Sequence, residues 1–194
     1  MRLEDINPKK TACFIGDVIP QGEHAAMEFE KHSKFIAEMD DRDRLMFITL
    51  MCHQIRAAIE KGYDTFLTTL ESAFEITAII FADVVKHLGH EHIKLVYVVP
   101  HGHYGKPQNY LDLNWRFAFD DAFILCDDFV EVVKPDGIHE SLDVRNWLTK
   151  YYSMSFHCKP PHLYISDDEE IITTNITDIF DRKYQKHSDK SIPS

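Results

Sequence analysis

"DTFLTTLESAFEI", residues 64–76, is the stretch on which the fold turns. Its first half is an apolar, β-branched burst, 65–69, which reads as a buried strand. Its second half opens a long amphipathic segment with Phe74, Ala78, Phe81, Val85 and Leu88 at helical spacing, stopped by Gly89. A strand running directly into a helix is the unit from which parallel α/β sheets are built, and its turn is where such proteins commonly hold a phosphate. Phosphate turns are rich in glycine because the backbone must come close to the ligand. This turn is Leu70, Glu71, Ser72, Ala73, with no glycine and one added carboxylate.

The flanking segments repeat the alternation. "TACFIG" reads as a short strand ended by Gly16, and residues 17–40 as a loop with a helical segment over 25–39. "DRDRLMFITLMCHQIRAAIEKGY" is a helix with Leu45, Ile48, Cys52, Ile55 and Ile59 as its apolar stripe, Asp40 or Asp41 as its cap and Lys61 and Gly62 as its end. "HIKLVYVVP" is continuously apolar, as expected of a strand covered on both faces. A helix over 110–125, a strand "DFVEVV", a turn at "PDG", a helix "LDVRNWLTKYYS" and a last strand "HLYIS" complete the pattern. The expected fold is α/β, a Rossmann-like three-layer sandwich around a mainly parallel central sheet. No repeat or linker divides the chain, so one domain over residues 1–180 is expected, with a polar tail over 181–194. Right-handed crossovers bring the carboxyl ends of the strands to one edge, where open α/β sheets bind ligands. Residues 16–17, 68–72 and 100–103 belong to that edge.

Composition narrows the function. The 194 residues are 44% hydrophobic and 27% charged, ordinary for a globular protein. Glycine is scarce: seven residues, where the usual ~7% gives about twice that. The net charge of −11, from 21 basic and 32 acidic residues, disfavours direct nucleic-acid binding, which needs Lys and Arg against phosphates. Cys13, Cys52, Cys126 and Cys158 are widely separated and form no CxxC pair, and no apolar run is long enough to span a membrane. The reading is a cytoplasmic protein with reduced thiols.

In their order and spacing these segments resemble the SLOG superfamily, and within it the DUF1273/YpsA-like branch. "CFIGDVIP" is similar to that branch's opening "CFTGHRP", and "GYDTFLTTLESAFEI" stands in register with its second motif, "G…F-x-[ST]-G-x-A-x-G-x-D". "RNWLTKYYS" resembles its later "RN…DxSD" helix, and the likeness covers roughly residues 11–158. The resemblance implies a Rossmann-like fold and a nucleotide or nucleotide-derived ligand. Carried over position by position, Gly16 matches, Asp17 replaces a histidine, and Val18 and Ile19 stand where an arginine lies. Thr69 or Leu70 and Phe74 take glycine positions, Glu71 or Glu75 falls near an aspartate, and Arg145 and Asn146 match. The later Gly-Gly-Thr turn is missing, as is the PGGxGTxxE motif of the phosphoribohydrolases in the superfamily, so their activity is not assigned.

Helix N-termini hold phosphate through bare N–H groups and the positive end of the dipole. Leu70 and Phe74 would obstruct that approach. A carboxylate such as Glu71 can itself occupy the helix N-terminus, stabilising it by roughly 0.3–1 kcal/mol, and would repel a phosphate. The expected ligand-binding residues are Gly16, Asp17, Thr68, Thr69, Glu71, Glu75, His101 and Arg145, with no catalytic residue, metal or cofactor. Arg145 is expected to pair with Glu71 or Glu75, or else to hold an anionic ligand. His101 and His103 are candidates for a general base or metal ligand at the same edge, although a polar loop is the blander reading. His87, His90 and His92 lie beyond a strand of about 23 Å, at roughly 3.3 Å per residue over 93–99, and read as a solvated helix-end cluster.

Three functions follow, with the balance against catalysis. The first is a non-catalytic SLOG-like protein that binds a small nucleotide-derived molecule or has lost that site. The second is an acidic interaction or inhibitor module, engaging a protein partner or a second copy through acids such as Asp120, Asp121, Asp127, Asp128, Asp167 and Glu170. The third is a hydrolase of nucleoside-type N-glycosidic bonds using Glu71 or Glu75, with His101 protonating the leaving base.

Overall fold

The computed structural model describes residues 1–16, 41–100, 113–132, 148, 152–157 and 172–175. Two short 3-10 turns, Leu3–Asp5 and Pro8–Lys10, lead into β1, Thr11–Ile15. Then come α1 (Asp41–Glu60), β2 (Thr65–Thr68), α2 (Ala73–His87), β3 (Lys94–Pro100), α3 (Leu113–Leu125) and β4 (Asp128–Val132), followed by β5 (Met154–His157) and β6 (Ile172–Asn175). The strands form one sheet in the order β4-β3-β2-β1-β5-β6, and every neighbouring pair is parallel. The fold is Rossmann-like α/β, as the alternation of segments predicts.

The chain steps outward from β1 to β4 on one side, then returns to place β5 on the other side of β1. The order therefore reverses between β1 and β5, where Ile15 stands in register with His157. Ligand crevices of doubly wound sheets open at such a reversal, outside the carboxyl ends of the strands.

Side chains alternate across the sheet with period two. Ala12, Phe14, Phe66, Leu95, Tyr97 and Val99 face a core shared with α1, α2 and α3. Cys13, Ile15, Leu67, Val96, Val98 and Val130 face a second core, covered by Ile6, Leu148 and Tyr152. This two-sided burial explains why β3 is an unbroken apolar run. Phe14 centres the first core: its ring stacks on Phe66 at 5.8 Å and on Phe156 at 5.5 Å, and Phe74 meets it edge-on at 6.5 Å. Such pairs add about 0.5–1.5 kcal/mol beyond the area they bury.

Helix ends follow sequence chemistry. Gly62, at φ +94°, ends α1; its N–H returns to the Ile59 carbonyl, and the Tyr63 N–H to that of Ala58. This is a Schellman closure, with Tyr63 and Ala58 both in the core. Gly89, at φ +108°, turns the chain after α2.

Several details depart from expectation. The buried face of α1 is Phe47, Leu50, Met51, Ile55, Ala58 and Ile59, while Leu45 is exposed. A stripe through Leu45, Ile48 and Cys52 is about one residue position away around the same helix, because apolar residues outnumber those that one face can hold. Leu88 is 73% exposed, since it sits at the C-cap past the end of the packed helix. Strands β5 and β6 were not anticipated: "MSFH" and "ITTN" are four-residue segments whose pairing, rather than composition, makes them strands. The expected helical segment over 25–39, the "PDG" turn, the "HLYIS" strand and the tail lie outside the described residues, as does all of the "LDVRNWLTKYYS" helix except Leu148, Tyr152 and Ser153. No helix among the described residues is long and apolar enough to cross a membrane.

Candidate functional site

At the carboxyl edge the ends of β1 and β2 meet the start of α2. Thr68 closes β2 by accepting the Leu70 N–H on its own hydroxyl at 3.0 Å, a side-chain turn of the Ser/Thr type. The chain then passes through Leu70 at φ +54°, the one non-glycine residue with positive φ among the described residues. Ser72 follows in extended conformation as the N-cap of α2, its hydroxyl accepting the Glu75 N–H at 3.1 Å.

Glu75 is the third residue of the helix, and its carboxylate turns back over the first turn. Oε1 accepts the Gly16 N–H at 3.0 Å, and Oε2 accepts the Thr69 hydroxyl at 2.7 Å and the Glu71 N–H at 3.1 Å. The side chain is 0% exposed. In the usual capping box the acid at this position returns to the N–H of the cap residue itself. Here it reaches one residue further and crosses to the neighbouring strand, so a single carboxylate ties β1, the β2 turn and α2 together.

Gly16 makes this approach feasible. A Cβ at Gly16 would lie 1.8 Å from the Ser72 hydroxyl oxygen and 2.5 Å from its Cβ. The Ser72 side chain packs so closely on the Gly16 backbone that no room is left for any side chain at position 16.

The structure thus brings together Gly16, Thr69, Glu71 and Glu75, with Thr68 shaping the turn behind them. Asp17, His101 and Arg145 lie outside the described residues, as do His103 and Asn146. Two expectations change. The carboxylate on the helix N-terminus belongs to Glu75 rather than Glu71, because Glu71 precedes the cap and contributes its amide, whereas the third helical position points back at that turn. Leu70 and Phe74 do not fill the anion approach: both side chains lie in the core, and the amides of Gly16 and Glu71 are taken by the carboxylate. Ser72 joins the site beyond the expected residues, and the Ser72-x-x-Glu75 spacing carries the capping-box signal for it.

Two thiols have raised pKa values, Cys13 behind this edge and Cys126 at the opposite one. Burial, reinforced by the Glu75 charge, pushes the Cys13 thiol well above its ordinary range. Burial likewise pushes Cys126 up to about 12, assisted by Asp127 and opposed by Lys86. Among the described residues no group of three or more His, Cys, Asp or Glu side chains is arranged to hold a metal ion. His90 and His92 lie near each other at the amino edge, opposite the site, with ring centroids 6.2 Å apart.

No protein-family model matches the chain, and no curated protein matches it.

Proposed function

We propose that this chain is a non-catalytic SLOG-like protein in which the phosphate-gripping part of a nucleotide site has been lost. A small nucleotide-derived ligand, where one binds at this edge, would be held through its base and sugar. The observation that carries the reading is the Glu75 carboxylate. It is buried, it takes the backbone N–H groups of Gly16 and Glu71 at this edge, and its charge repels another anion. Leu70 adds support, since its left-handed backbone stands at one of the positions that the SLOG resemblance gives to glycine.

The hydrolase reading is weakened by the same contacts. A general base needs a lone pair aimed at water within hydrogen-bond reach. The Glu75 oxygens instead accept three internal hydrogen bonds.

Thermal melting across paired nucleosides and nucleotides tests the proposal. A ligand at about a hundred times its Kd stabilises by about 2.7 kcal/mol. AMP and ADP-ribose are expected to raise the melting temperature no more than adenosine does. A larger shift with the phosphorylated compounds would overturn the proposal. Base release from nucleosides that disappears in both Glu71→Gln and Glu75→Gln would instead favour the hydrolase.

A further inference from the structure

We draw no further inference here: the strongest candidate, the exposed apolar face of α3 at Phe117 and Ile124 with the adjoining edge strand β4 at Phe129, carries none because nothing in the structure shows what covers it.

Discussion

Glu75 carries more of the architecture than any other polar side chain in the described residues whose contacts are defined. Three donors, one at the end of β1 and two in the β2–α2 turn, converge on it with no water exposure. Removing one partner of a buried charged network leaves the others desolvated and unsatisfied, which costs more than the hydrogen bonds themselves are worth. Glu75→Ala is therefore expected to lower the unfolding free energy by about 3–5 kcal/mol, measured by urea denaturation. Glu75→Gln keeps the shape but presents an amide N–H where an acceptor was, so it should also destabilise, by about 1–3 kcal/mol. A loss below about 0.5 kcal/mol in Glu75→Ala, the range of ordinary surface changes, would show that the carboxylate does not hold β1, the β2 turn and α2 together.

At the scale of elements, the β2–α2 turn combines a buried side chain with a backbone conformation that suits glycine. Leu70 is fully buried in the first core and sits at φ +54°. A left-handed residue with a Cβ carries a penalty of roughly 1–2 kcal/mol, which the packing of its side chain offsets. Truncation separates the two effects. Leu70→Ala loses the packing and keeps the penalty, and should cost about 2–5 kcal/mol. Leu70→Gly loses one methyl more but relieves the backbone, and is expected to be no less stable than Leu70→Ala. At an ordinary helical site the order would be reversed, because Gly there is worse than Ala by about 1 kcal/mol. Calorimetric melting of the two variants decides the sign. Elsewhere the elements follow simple rules: Gly62 closes α1 and Ser72 opens α2, each legible as a cap in the sequence.

For the whole molecule, the two cores also bury thiols, and this couples stability to alkaline pH. Cys13 and Cys126 have folded-state pKa values raised above the ordinary thiol value of 9.0. Below about pH 9 the thiols are protonated in both states, and their contribution is fully present. Above it the unfolded chain releases protons that the folded protein keeps, so stability falls as pH rises towards the folded pKa, about 12 for Cys126. Each such thiol should contribute a loss of about 1.4 kcal/mol per pH unit in that window. Comparison of the parent with Cys13→Ala/Cys126→Ala isolates the effect from Tyr and Lys titration. Equal slopes between pH 9 and 11 would refute it. In native labelling at pH 8 both thiols should resist iodoacetamide.

The sequence alone determined the layered α/β architecture. Apolar period and glycine punctuation are local properties, and β1 to β4 with their helices announce themselves in them. It also showed that the turn after β2 has no glycine, because the absence of a residue type is visible in the string. Tertiary structure decided the rest. Four-residue strands such as β5 become strands only by pairing, here with β1, and no local pattern records a partner 142 positions away in the chain. Which of two neighbouring carboxylates enters the helix N-terminus depends on where the helix starts, and a shift of one residue turns a side chain by about 100° around the axis. The strand beside that turn matters equally, since Gly16 donates to Glu75 across 59 residues of chain. Hydrogen-bond geometry is a property of the assembled edge, and only the fold brings its donors to one carboxylate.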